Sequence, residues 1–207
     1  MMNRLVLIGG STAVGKSTLI KELEKKLNNP LCYRRVQGFY DLAKLNNIDE
    51  KDVFSSISPF DVDDYFVTKC VENELVVSDV HFAVQMDRGS VDFPNIHAPY
   101  VGTISKELID KLTYNGVEII PILLENNPEI CFNREVERYN CKQKGMRNIS
   151  IEDTQNEILS ERREFLIVSN SCEKSLFINV SNKTPEELAL EVFDFIKGKC
   201  NKKLIKK

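Results

Sequence analysis

The sequence predicts a three-layer α/β/α sandwich built around a five-stranded parallel sheet. Apolar runs of strand length alternate along the chain with amphipathic segments of helical period, the pattern of a parallel sheet covered by helices on both faces. The chain has 207 residues, of which 42% are hydrophobic and 29% charged, as in an ordinary soluble domain. We therefore expect residues 1–198 to form a single domain and residues 199–207 to form a basic tail.

Charge and cysteine content narrow the class of protein. The 28 basic and 31 acidic residues give a net charge of −3, so the chain carries no strong nucleic-acid signature. No apolar segment approaches the ~20 residues of a membrane span, and the run Leu5–Ile8 is too short for a signal peptide. None of the six cysteines forms a C-x-x-C pair. These observations predict a reduced, cytoplasmic protein that does not enter the membrane.

Short apolar runs predict the strands. The run Arg4–Gly9 leads into a glycine-rich turn, and the run Leu75–Asp79 is continuously apolar until it ends on an acid, which suits a buried parallel strand. In chain order, the predicted strands cover residues 4–9, 31–37, 75–79, 117–124 and 176–180.

Capping signals and apolar spacing predict the helices. Ser58, Ser150 and Thr184 each precede a helical segment that has proline at its first position, an acid at its third, or both. The predicted helices cover residues 16–28, 58–73, 104–115 and 128–141, and two more begin at 150 and 184. We expect residues 38–57 to be irregular apart from a short helix near 41–45. Residues 82–102 are expected to form a long loop, which in a compact domain is usually functional.

One motif between the first strand and the first helix points to nucleotide binding. Residues 10–17 read GSTAVGKS and match the phosphate-binding pattern G-x-x-x-x-G-K-[ST]. Its two glycines permit the backbone to turn successive N–H groups toward a phosphate, and the following helix adds the positive end of its dipole. Lys16 is expected to reach the β- and γ-phosphates, and Ser17 to bind Mg²⁺. The predicted nucleotide-binding residues are Gly10, Ser11, Thr12, Ala13, Val14, Gly15, Lys16, Ser17 and Thr18.

An acid closes the third predicted strand, beside this loop. Asp79 can hold Mg²⁺, directly or through water, or it can position and deprotonate an acceptor oxygen. The alternative is that Asp79 only caps a turn. His81 lies two residues further on, on the same strand face, where it either takes part in the site or packs as a structural histidine.

Several arginines are candidates for stabilising a transferred phosphoryl group. Arg134 and Arg138 lie one helical turn apart, and Arg147 follows in a polar stretch. We expect these three to be catalytic, and residues of about 138–150 to form a small lid that excludes water. The next predicted helix carries the pair Arg162-Arg163. The alternative is a set of surface ion pairs with Glu135, Glu137 and Glu161.

Together these segments resemble the P-loop nucleoside and nucleotide kinases, and in layout most closely the archaeal-type adenylate kinases. The resembling segments are the GSTAVGKS loop, Asp79-Val80-His81, Leu123–Glu129, Arg134, Arg147-Asn148-Ile149 and Val180–Leu188. This sequence departs from the family pattern at two dipeptides. Where the family has Arg-Arg, this chain has Arg134-Glu135, and where the family has Arg-Asp, it has Arg147-Asn148.

The resemblance implies that ATP lies across the carboxyl ends of the strands. Adenine would lie near Asn182, Lys183 and Pro185, after the last strand. The acceptor site would be formed by residues of about 32–74 and 82–102. The polar candidates in those two regions are Arg34, Arg35, Gln37, Gln85 and Arg88.

These features predict an ATP- and Mg²⁺-dependent phosphotransferase that acts on a small acceptor, and the resemblance implies AMP first. The alternative is an ATP-hydrolysing assembly or switch factor that acts on a protein or RNA partner. A GTPase is disfavoured because Pro185 stands where the guanine-specifying pattern Asn-Lys-x-Asp requires an acid. A ring ATPase would need a longer chain.

Overall fold

The computed structural model describes residues 2–83, 104–141 and 150–198, without the side chains of residues 139–141. The strands are β1 (Arg4–Gly9), β2 (Leu31–Cys32), β3 (Leu75–Asp79), β4 (Glu118–Glu125) and β5 (Leu176–Asn179). They pair in parallel in the order β2-β3-β1-β4-β5, which confirms the predicted five-stranded parallel sheet.

Eight α-helices connect and cover these strands in the described part of the chain. They are α1 (Lys16–Lys26), α2 (Gln37–Leu45), α3 (Val53–Ser56), α4 (Pro59–Glu72), α5 (Lys106–Tyr114), α6 (Pro128–Cys141), α7 (Ile151–Asn170) and α8 (Pro185–Ile196). A single 3₁₀ turn, Glu50–Asp52, precedes α3. Within the described ranges, no helix has the length and apolar character needed to cross a membrane.

β1 lies in the middle of the sheet, and its register aligns the ends of both neighbours. Ile8 is level with Asp79 of β3 and with Ile122 of β4. The amide of Val80 still donates to the carbonyl of Ile8, at 3.0 Å, just past the end of β3. Because the strands are parallel, the carboxyl ends of β1, β3 and β4 meet at one edge, where sheets of this class bind their ligands.

Alternating side chains of β1 extend the core to both faces of the sheet. Val6 and Ile8 belong to a buried cluster with residues of α1 and α8. Leu5 and Leu7 point to the opposite face, where they belong to a second cluster with residues of α4, α5 and α7. The predicted three-layer sandwich is therefore confirmed.

The second strand is shorter than predicted. Of residues 31–37, only the first two form β2, and α2 begins at Gln37. Between them the chain turns so that the guanidinium group of Arg35 donates to the carboxylate of Asp63 in α4, and both side chains are buried. A buried guanidinium needs such a partner, so this ion pair favours the turn over further strand pairing.

The predicted short helix near residues 41–45 is confirmed as part of α2, but the prediction that the rest of residues 38–57 is irregular is wrong, because they also form the 3₁₀ turn and α3. These short elements pack on α4 and share a small apolar cluster with it. The buried members of that cluster are Phe39, Ala43, Val53, Ile57 and Val62. α2 has nine residues and α3 has four, and isolated helices of this length are marginal in water, so the helical structure depends on the packing against α4.

Side-chain caps confirm three of the predicted helix starts. The hydroxyl of Ser58 accepts from the amide of Phe60 at the start of α4. Complete capping boxes begin α7, at Ser150, and α8, at Thr184. These local bonds satisfy backbone N–H groups that have no partner inside the helix, so the helix starts were readable from the sequence.

We predict that Asp63→Asn destabilises the fold by about 3–5 kcal/mol, because it leaves the charge of Arg35 buried without its carboxylate. The exposed ion pair Lys106–Asp110 provides a control: Asp110→Asn should change the free energy of unfolding by less than about 1 kcal/mol. Urea denaturation of both variants measures the difference. Equal effects of the two substitutions would contradict the structural role assigned to the buried pair.

Candidate functional site

The predicted phosphate-binding loop, residues 10–17 and hereafter the phosphate loop, turns sharply between β1 and α1. Three of its residues have positive φ: Gly10 at 138°, Ala13 at 61° and Gly15 at 116°. At Gly10 a side chain is excluded for a second reason, because a Cβ atom there would lie 2.4 Å from the carbonyl oxygen of Leu124 in β4. The loop therefore lies directly against the end of β4, and its first glycine permits this close approach.

The ammonium group of Lys16 lies on the inside of this loop. Its Nζ atom donates to the carbonyl oxygens of Gly10, at 2.5 Å, and Ser11, at 3.1 Å. Burial lowers the pKa of Lys16 below its ordinary value, while attraction to Glu161, Glu157 and Asp79 acts in the opposite direction. The site thus holds a desolvated cation among carboxylates.

A first cavity of about 200 Å³ opens beside the loop at the carboxyl edge of the sheet. Besides loop residues 12–18, which include Lys16 and Ser17, it is lined by Arg34, Asp79, His81 and Arg138. The structure thus brings several of the predicted site residues to one place. The guanidinium group of Arg34 donates to the carboxylate of Asp79 across this cavity. The cations of Lys16, Arg34 and Arg138 outnumber the one lining carboxylate, that of Asp79, so the cavity is suited to a phosphate group.

The same cavity contains residues that fit a magnesium ion. Mg²⁺ prefers oxygen ligands and in nucleotide sites is held by one or two protein oxygens together with phosphates and water. The hydroxyl of Ser17 and the carboxylate of Asp79 are such oxygens, and both line the cavity. Asp79 would exchange its bond to Arg34 for the ion.

A second cavity, of about 460 Å³, adjoins the other side of the loop. It shares Ala13, Val14, Gly15, Thr18 and Arg138 with the first cavity. Its remaining lining residues are Leu19, Arg134, Glu137, Val180, Lys183, Pro185 and Leu188. Its volume falls in the usual range for small-molecule sites, and apolar side chains from α1, α8 and the end of β5 form much of the wall.

Two of the residues predicted near adenine, Lys183 and Pro185, line this second cavity, together with Arg134. The third, Asn182, is exposed on the turn before α8 and is not among the lining residues. The predicted catalytic residue Arg147 lies outside the described residues, as does most of the predicted lid.

Sequence reasoning missed two carboxylates of α7 that reach the site. Oε1 of Glu157 accepts from both the amide and the hydroxyl of Thr12 in the loop, each at 2.9 Å. Glu161, only 1% exposed, lies 2.9 Å from Nδ1 of His81 and also accepts from the amide of Phe82. A detectable signal existed, since Glu161 falls in the buried stripe of α7 that Ile158 and Phe165 occupy.

Other candidates take part in contacts away from both cavities. Arg162 forms a two-bond ion pair with Glu125, and Arg163 pairs with Glu164 on the surface. Two candidates for the acceptor region also have other partners: Arg35 is in its buried ion pair with Asp63, and Gln37 donates to Asp41. The other two, residues 85 and 88, lie outside the described residues. The proposed surface ion pairs are wrong for Glu135 and Glu161, because both are buried.

No protein-family model and no curated protein sequence matches the chain. Solved structures match it along nearly its whole length. The tunicamycin resistance protein of Deinococcus radiodurans is 12% identical, with a TM-score of 0.56 over 94% of this chain and 96% of that one. Shikimate kinase from Acinetobacter baumannii, solved with shikimate, is 12% identical, with a TM-score of 0.53 over 98% and 97%.

A third match is deoxyadenosine kinase from M. mycoides, solved with dCTP, which is 15% identical, with a TM-score of 0.50 over 94% of this chain and 99% of that one. Identities this low establish a shared fold and nothing finer. At that level the expected resemblance is confirmed: the chain has the fold of the P-loop nucleoside and nucleotide kinases.

Proposed function

We propose that the chain binds ATP together with Mg²⁺ and transfers the γ-phosphoryl group to a small acceptor. The observation that carries this proposal is the first cavity, where Lys16, Ser17, Asp79 and Arg138, from three separate parts of the chain, line one volume. Cations at that position can stabilise the charge on the transferred phosphoryl group, which is the main requirement of this chemistry. Mg²⁺ bound by Ser17 and Asp79 would neutralise further phosphate charge.

The second cavity is the proposed site of the nucleoside part of ATP. It continues from the phosphate loop, so a nucleotide with its phosphates on residues 10–18 can place its base against Val180, Pro185 and Leu188. Arg134 and Arg138 line this cavity from α6. We assign both of them, with Arg147, to stabilising the phosphates, and we assign Asn182, Lys183 and Pro185 to the adenine end.

The acceptor is proposed to enter beside Arg34 and Asp79, opposite the phosphate loop. A shikimate kinase and a deoxyadenosine kinase share this fold, which supports a small molecule as acceptor. The sequence resemblance to adenylate kinases places AMP first among the phosphate acceptors to be tested.

We predict that Lys16→Ala lowers ATP turnover about 100-fold or more, since an ammonium group aimed at developing phosphate charge acts mainly in the transition state. Lys25→Ala is the matched control: this lysine lies on the same helix, is exposed and pairs with Glu22. Turnover is measured by ADP release and folding by circular dichroism. If Lys16→Ala turns over ATP as the wild type does, the phosphate-loop assignment is wrong.

We predict that Asp79→Asn depresses phosphoryl transfer far more than it weakens ATP binding, because it removes a charge needed at the acceptor side of the cavity. The wild type and the variant are incubated with ATP·Mg²⁺ and AMP, CMP, UMP, dTMP, GMP or the matching nucleosides, and products are separated by chromatography.

The alternative function has a distinct outcome in the same assay. An assembly or switch factor would phosphorylate no acceptor, and its slow ATP hydrolysis would accelerate when its protein or RNA partner is added. That result would replace the kinase proposal.

A further inference from the structure

Arg34 is a cation of the first cavity to which the proposed binding of ATP gives no role. Lys16 and Arg138 line the same cavity and are assigned to the phosphates. The guanidinium group of Arg34 donates to the carboxylate of Asp79, and the Arg34 side chain is nevertheless 54% exposed. A guanidinium group carries five N–H donors, and a forked bond to one carboxylate uses two of them. Arg34 can therefore bind a second anion in this cavity.

Anchored neighbours fix the backbone on both sides of Arg34. The amide of Tyr33 donates to the carbonyl of Val77 in β3, at 3.0 Å, and continues the pairing of β2. Arg35 is buried in its ion pair with Asp63 of α4. Because both neighbours are held, the guanidinium group of Arg34 can change partners by rotation about side-chain bonds while its backbone stays in place.

Arg34 and the proposed base site lie toward opposite edges of the sheet. Arg34 follows β2, which is one edge strand, and Val180 in the wall of the second cavity follows β5, the other edge strand. Among the described residues, Arg34 lines the first cavity, whereas Arg138 lines both. A nucleotide whose base lies in the second cavity therefore reaches the first cavity from the β5 side, and Arg34 lies on the side that is left for the acceptor.

Arg34 and a metal ion compete for the carboxylate of Asp79. Asp79 and Ser17 are the proposed ligands of Mg²⁺, and Asp79 also accepts from Arg34. A divalent ion at this carboxylate competes for its oxygens and repels the charge of the nearby guanidinium group. Binding of the ion therefore weakens the bond between Arg34 and Asp79, and an anion on the acceptor can then take the place of that carboxylate.

We propose that Arg34 is a specificity-determining residue that binds an anionic group of the acceptor, a phosphate or a carboxylate, once Asp79 exchanges Arg34 for Mg²⁺. This inference rests on the proposed phosphoryl transfer. Before the exchange, an acceptor anion must compete with Asp79 for the guanidinium group. After the exchange, the planar fork of Arg34 matches two oxygens of a phosphate or a carboxylate. Mg²⁺ and the anionic acceptor consequently strengthen each other's binding by the same factor.

The first test measures the exchange by calorimetry and needs no acceptor. The affinity for ADP is measured with EDTA and with Mg²⁺, and the ratio of the two Kd values gives the enhancement by Mg²⁺. We expect Arg34→Ala to keep the Kd in EDTA within about twofold and to increase the enhancement about two- to fivefold, because the competing partner of Asp79 is gone. Asp79→Asn should reduce the enhancement. A variant whose site is merely damaged would bind ADP more weakly in both conditions.

The second test uses acceptors that differ in one charged group: AMP against adenosine, CMP against cytidine, and shikimate against its methyl ester. We expect ATP·Mg²⁺ to phosphorylate an anionic member of the panel. Arg34→Ala should raise the KM for that acceptor about 10- to 100-fold, since it removes a charge-assisted hydrogen bond, while the KM for ATP stays within about threefold. Arg34→Lys should recover part of the loss, because it keeps the charge without the fork.

Arg163→Ala is the matched control, because this guanidinium group pairs with Glu164 on the surface. It should change neither the enhancement by Mg²⁺ nor the KM for the acceptor.

An unchanged enhancement by Mg²⁺ in Arg34→Ala, or weaker binding of ADP to that variant in EDTA, would overturn the proposal. Transfer to a neutral compound as fast as to its anionic partner would overturn it as well. If no compound of the panel is phosphorylated, the binding of each pair to the complex with ADP·Mg²⁺ is compared, and equal affinities of the two members overturn the proposal. Failure of the kinase activity itself is recognised separately, by a Lys16→Ala variant that turns over ATP normally.

Discussion

The partly buried ammonium group of Lys16 is the charge on which the arrangement of the site depends. Burial lowers the pKa of Lys16, and attraction to the carboxylates of Glu161, Glu157 and Asp79 offsets part of that shift. Two of these acids come from α7 and one from the end of β3, so a cation in the loop after β1 requires that these elements stay close to it. The geometry of the proposed phosphate site therefore depends on the packing of all three layers, although its motif is only eight residues long.

α7 serves both the core and the site. Its buried stripe contributes Ile158 and Phe165 to apolar packing, and within that stripe stands the carboxylate of Glu161. A buried carboxylate is costly unless hydrogen bonds satisfy it, and here an imidazole and a backbone amide both reach it. The apolar contacts that hold the helix thus also exclude water from the bonds that orient His81, which strengthens those bonds.

Features whose partners are close together in the sequence were predicted, whereas features whose partners are far apart were missed. The phosphate loop, the acid that ends β3 and the helix caps are local, so spacing alone predicted them. The pairs that set the remaining geometry are distant: Arg35 and Asp63 are 28 residues apart, and His81 and Glu161 are 80 residues apart. The stripe of α7 can indicate that Glu161 is buried, but no local pattern indicates its partner. For this reason β2 was predicted too long and the carboxylates of α7 were not assigned to the site.

The two cavities are joined by one side chain outside the phosphate loop. Among the described residues outside the loop, Arg138 lines both cavities. Arg134, one turn earlier on α6, lines the second cavity. α6 packs on α7, which carries Glu157 and Glu161. A shift of α6 would therefore move Arg134 and Arg138 in the cavity walls and would act on α7, whose carboxylates contact Thr12 and His81. The linings of both cavities consequently depend on a single packed pair of helices, so a ligand in the second cavity that shifts α6 would also change the first cavity.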